Sequence, residues 1–193
     1  MDGVIEQAAG FGYKCGWLAI RSSDPNDVIA RLGIREARMT PWREGIESAY
    51  EGHDARVVYV TPAIDGWVLV AGTSLFSAVG DLAEDQAKLP AFVASLSASL
   101  GTVVQYFATQ RVSEAHAWIL ADKGRLIRAF SVGEGEVAFD QGDRTPAEKE
   151  LGEWQGDEVD EEMVLRVAAR WSLNPSTLEQ KRLPRGWLGT YRP

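Results

Sequence analysis

The feature that most restricts the fold is a pair of β-branched runs, Val57-Val58-Tyr59-Val60 and Trp67-Val68-Leu69-Val70, joined by Thr61-Pro62-Ala63-Ile64-Asp65-Gly66. Neither run alternates apolar with polar residues. A strand with one face in water does alternate, so both runs need cover on both faces. Asp65-Gly66 tolerates the positive φ of a tight turn, which makes the pair a hairpin. The expectation is a hairpin in the middle of a sheet, with other elements packed above and below.

The flanking segments supply those elements. Lys14 to Arg21 reads as a first strand. In Asp24-Pro25-Asn26-Asp27 the aspartate suits a helix cap and the proline the first helical position, and Val28, Ile29 and Leu32 give an apolar face until Gly33. Leu89, Phe92, Val93, Leu96 and Leu100 recur at helical spacing before Gly101, predicting a helix whose Phe92, Val93 and Leu96 face lies on the sheet. Strands follow over 103–109, 114–121 and 125–132, with a weaker candidate at 136–139. A three-residue loop Asp122-Lys123-Gly124 would set His116 opposite Phe130 and Trp118 opposite Arg128, with a cation–π contact in the second pair. Thr145-Pro146-Ala147-Glu148 is a capping box, and Met163, Val164, Val167, Ala168 and Trp171 mark a further helix. The chain beyond Lys181 reads as irregular. Without regular βαβ alternation, the fold class is α+β, a largely antiparallel sheet with helices packed on it. With 193 residues this is one domain over 1–180 and a basic C-terminal tail over 181–193.

Charge adds a second constraint. The net charge is −8, which repels nucleic acid and anionic lipid and attracts basic partners. The acids are concentrated between Glu134 and Glu162, where only Arg144 and Lys149 are basic, whereas Lys181, Arg182, Arg185 and Arg192 crowd the tail. That tail has the charge to dock on the acidic stretch. No apolar run reaches the roughly 20 residues of a spanning helix, and the first residues lack the basic start of a secretory signal. A cytoplasmic location is expected, in keeping with a single cysteine, Cys15.

A search for chemistry gives little. Two histidines and one cysteine, far apart, lack the spacing of a metal site, so neither metal nor cofactor is expected. His53 sits in a polar loop. The glycines of Gly10-Phe11-Gly12-Tyr13-Lys14-Cys15-Gly16 precede a strand, whereas a dinucleotide-binding loop follows one. His116 has only Glu114 near it on its own face, too little for a catalytic base, so no catalytic residue is assigned. Trp154 stands apart from the other tryptophans because Glu153, Gln155, Gly156, Asp157 and Glu158 surround it. Such a ring either folds back onto the core or anchors a partner.

The passages from Val57 to Val70 and from His116 to Phe130 resemble a group of bacterial proteins without an assigned catalytic role. The chain as a whole is similar to the acidic cytosolic immunity proteins that protect bacteria from interbacterial toxins, including those of type VI secretion. The resemblance covers about two thirds of the chain through strand and turn patterns, and it carries over no functional residue. It implies a non-enzymatic protein that binds and neutralises a basic toxin, such as a nuclease. The surface expected to do so comprises Glu153, Trp154, Asp157, Glu158, Asp160 and Glu161. The competing expectation is a small enzyme or ligand-binding regulator with a pocket walled by His116, Trp118 and Arg128.

Overall fold

The computed structural model describes residues 4–51, 56–73, 75 and 88–191. His53 and Arg192 lie outside them. The strands are β1 (Ile5–Gln7), β2 (Cys15–Arg21), β3 (Arg35–Thr40), β4 (Val57–Val60), β5 (Trp67–Gly72), β6 (Val103–Gln110), β7 (Ala115–Asp122), β8 (Arg125–Gly133), β9 (Glu136–Gln141), β10 (Arg182–Pro184) and β11 (Gly186–Thr190). The helices are α1 (Pro25–Leu32), α2 (Trp42–Glu51), α3 (Leu89–Leu100), α4 (Pro146–Lys149) and α5 (Glu161–Trp171), with 3-10 turns at Gly156–Glu158 and Pro175–Gln180. Nine strands form one antiparallel sheet in the order β3-β11-β4-β5-β2-β6-β7-β8-β9, and β1 pairs separately with β10. The protein is α+β, with helices on a large antiparallel sheet. Among the described residues no helix is long and apolar enough to cross a membrane.

The β4–β5 hairpin is interior, and Val58, Tyr59, Val60, Val68, Leu69, Val70 and Ala71 are all buried. Its tip is the Asp-Gly turn: Ile64 and Trp67 exchange backbone hydrogen bonds of 2.8 and 2.9 Å, with φ of 51° at Asp65 and 84° at Gly66. Alternate residues feed two cores. On one face Trp17, Tyr59, Leu69, Phe107, Trp118 and Phe130 meet α2 and α5. On the other Leu18, Val58, Val70, Tyr106 and Ile119 meet α1 and α3, where Val93 and Leu96 are buried and Phe92 half-buried. The predicted face of α3 does pack on the sheet, chiefly over β6, β7 and β8.

Three details differ from the sequence reading. The β7–β8 turn has two residues, Lys123 and Gly124, both at positive φ, and a bulge follows at Leu120/Ala121. Both changes move the register in the same direction. His116 therefore pairs with Val132, Trp118 with Phe130, and Leu120 with Arg128. Second, β3 and α2 occupy residues to which the sequence reading assigned no element. Third, the chain beyond Lys181 is not irregular: β10 pairs with β1, and β11 lies inside the sheet between β3 and β4. Two basic side chains of this segment dock away from the acidic stretch, Lys181 on Asp65 at 2.8 Å and Arg185 on Glu6 at 2.9 Å. Glu6 also accepts the Trp42 amide at the start of α2, at 2.7 Å, so one carboxylate joins β1, α2 and the C-terminal strands.

Candidate functional site

Helix α5 crosses one face of the sheet and begins beside the end where β6 turns into β7. Asp160 caps it, accepting from the Met163 amide at 2.8 Å, and Glu161 and Glu162 occupy the first turn, where the helix dipole favours negative charge. The preceding turn is closed by Glu158, which accepts from the Gln155 amide at 2.7 Å. These local rules gather acids at one end of α5. The strands then enclose them, leaving a cleft of about 520 Å3 between this helix start and the β6–β7 and β8–β9 turns.

Glu114, Asp157, Asp160, Glu161 and Glu162 line the cleft, with Arg111, Tyr13 and His116. The loops around it are tightly held. Tyr13 Oη donates to Glu162 at 2.7 Å, and the Lys14 amide donates to Glu161 at 3.2 Å. The bond to Glu162 raises the Tyr13 pKa above its ordinary value, with burial and the charges of Glu162 and Glu161 adding to it. Lys14, Glu114 and Glu134 are all non-glycine residues at positive φ, an uncommon conformation concentrated here. His116 is only 3% exposed, and its Nδ1 shares a 2.8 Å hydrogen bond with Thr109 Oγ1. Burial lowers its pKa, and the charges of Glu161, Asp160 and Glu114 oppose this without reversing it. The cleft thus has a negative wall and a neutral imidazole. The exposed apolar side chains Val112 and Val137 stand close by, the first next to Arg111 and the second against Gly156.

The sequence-derived surface divides here. Asp157, Asp160 and Glu161 converge on the cleft. Glu158 is spent on its turn, and Glu153 points away, 3.5 Å from Arg144. Trp154 folds back: it is 6% exposed, packs edge-on against Trp118 and Phe130 at 5.4 and 4.9 Å, and is covered by the Arg144 guanidinium at 3.9 Å. An anchor offered to a partner would have to be exposed, so the core reading of this ring is the one the packing favours. Glu162 joins Asp157, Asp160 and Glu161 from the first turn of α5, and Glu114, Tyr13 and Arg111 complete the cleft from positions remote in the chain.

His116, Trp118 and Arg128 do not share a pocket. Trp118 stacks on Phe130 at 4.6 Å, and no Trp118–Arg128 cation–π pair forms. Both side chains donate instead to Glu148, Trp118 Nε1 at 2.9 Å and Arg128 Nε at 2.8 Å. Arg128 and Glu148 are completely buried, and Arg128 also reaches Asp140 and the carbonyls of Gln141 and Gly142. The guanidinium therefore already has its anion and is closed to an external one. Glu148 completes the predicted capping box, its Oε2 accepting from the Thr145 amide at 2.8 Å and hydroxyl at 2.9 Å. Among the described residues no group of His, Cys, Asp and Glu could hold a metal ion. Compared with known proteins, the chain matches no family model, no curated protein and no solved structure.

Proposed function

We propose that the chain is a protein-binding module that neutralises a basic toxin, the role of a bacterial immunity protein. The observation that carries this reading is the convergence of Glu114, Asp157, Asp160, Glu161 and Glu162 on one cleft in which, among the described residues, Arg111 is the one cationic side chain of the lining. Such a cleft concentrates negative potential and accelerates encounter with a cationic surface. A lysine or arginine of the partner enters between α5 and the β6–β7 turn. Tyr13, Val112 and Val137 supply apolar contact around it. His116, neutral above its lowered pKa, does not compete with the incoming cation.

The test starts from capture of the partner from native cells, followed by association and dissociation rates for the wild type and for Asp157→Lys with Glu162→Lys. The expected partner is basic, loses toxicity on co-expression with the wild type, and associates about tenfold more slowly with the double variant, a defect that shrinks with salt. A partner that binds both proteins at the same rate in low salt refutes the reading.

A further inference from the structure

At the opposite end of α5 the same face of the sheet carries a second depression, of about 620 Å3. Its floor follows from strand register. Trp67 pairs with Arg21 across β5 and β2, and Val103 pairs with Asp122 across β6 and β7. The β2–β6 register, in which Ile20 pairs with Val104, sets Arg21 beside Val103. One row across four neighbouring strands thus reads aromatic, cationic, apolar, anionic. Gln105 lies two residues further along β6 and shares this face, and Trp171 of α5 forms a wall.

Three polar groups in this groove have capacity to spare. Gln105 is 2% exposed; its Nε2 donates to the Trp171 carbonyl at 3.1 Å, but its Oε1 has no partner. A buried acceptor left without a donor is a cost to folding that natural proteins seldom carry without a reason. Among the described residues the side chains of Arg21 and Asp122 make no hydrogen bond or ion pair. The other two charged residues of the groove, Arg170 and Glu150, are satisfied by each other at 3.3 Å. The charge available to a ligand is therefore one cation and one anion, on strands two positions apart.

We propose that this groove binds a small zwitterion with an apolar body, of the class of a tripeptide with free termini. Arg21 takes the carboxylate, Asp122 takes the ammonium, and a backbone N–H of the ligand donates to Gln105 Oε1. An aromatic side chain lies against Trp67 and Trp171. The dimensions agree: two strand separations place the Arg21 and Asp122 backbones about 10 Å apart, and three extended residues span about 10 Å. The volume falls within the ordinary range for small-molecule sites. This site is independent of the acidic cleft, and neither proposal needs the other.

The probe is the tripeptide Gly-Phe-Gly, titrated by calorimetry and by NMR of the indole N–H signals, beside its N-acetylated and C-amidated forms. Free Gly-Phe-Gly is expected to bind with a dissociation constant of 1 mM or tighter, taken as about the weakest useful affinity, and to shift the Trp67 and Trp171 signals. Arg21→Gln should weaken the free peptide about tenfold while leaving the amidated peptide unchanged, and Asp122→Asn should do the same with respect to the acetylated one. Both residues stand at the sheet rim, and circular dichroism checks that the variants keep the fold. Absence of binding at millimolar peptide overturns the proposal, as does equal binding of free and blocked peptides.

Discussion

Replacing Glu148 by alanine tests the buried network most directly. The carboxylate accepts from Trp118 Nε1 and Arg128 Nε at 2.9 and 2.8 Å and from the Thr145 amide and hydroxyl at 2.8 and 2.9 Å. Its removal strands a fully buried guanidinium whose Nη2 already lacks a partner. Breaking a buried ion pair from one side costs about 3–5 kcal/mol. Arg128 retains Asp140 and three backbone carbonyls, so the lower part of that range applies, about 3–4 kcal/mol. For a chain of this size each kcal/mol lowers Tm by about 2–4 °C, and the expected fall is roughly 10 °C in a thermal melt followed by circular dichroism. Glu148→Gln keeps an acceptor and should lose less. A double variant, Arg128→Met with Glu148→Leu, should be more stable than the sum of the single losses, because it removes the stranded charge with its partner. A fall below about 3 °C for Glu148→Ala, or strict additivity in the double variant, would refute this account of the core.

Gly45→Ala should destabilise although alanine favours helices, because its Cβ would meet the Tyr59 ring at 2.2 Å, and the Tyr59 hydroxyl is held by the Gly186 amide at 2.9 Å; a net loss of about 1–2 kcal/mol is expected from denaturant midpoints. Cys15 is fully buried, which pushes its thiol up to about 12, so a thiol reagent at pH 8 should label the native protein only as fast as it opens and label the unfolded chain at once. His116 gives a pH dependence of defined sign. Its folded pKa lies below the unfolded value of about 6.5, so the unfolded chain binds the proton first and stability falls as pH drops below that value, toward the native pKa. His116→Gln should remove a slope of at most about 1.4 kcal/mol per pH unit, seen as the wild-type minus variant difference in stability between pH 7 and 5.

The acidic cleft and the buried network were legible in the sequence to different degrees. The acid-rich stretch and the capping box are local, and both were readable: Asp157, Asp160 and Glu161 do reach the cleft, and Thr145 and Glu148 do satisfy each other. Glu114, Tyr13 and Arg111 were not readable as members of the same cleft, because only the packing of β7, β2 and α5 brings them together. Trp154 could not be placed from its polar neighbours, since its ring packs on residues of β7 and β8. One bulge and a turn one residue shorter than expected moved Trp118 from Arg128 to Phe130, which replaced an expected cation–π contact with a ring stack.

By itself the sequence determined what depends on a few neighbouring residues: an interior hairpin turned by Asp65-Gly66, the helices started by Asp24 and Thr145, the apolar face of α3, and the strands from β6 to β9. These follow from steric limits on φ, from the capping of exposed amides and from the two periods of apolar residues. Only the tertiary structure decided that Gly186–Thr190 becomes a strand between β3 and β4, because a glycine-rich segment without apolar alternation acquires that conformation from the unpaired edges on either side of it. It alone decided, too, that Arg128 is neutralised by Glu148. A charge can be buried only where its counterion already waits, and 20 positions of chain separate the two until the sheet and α4 close over them.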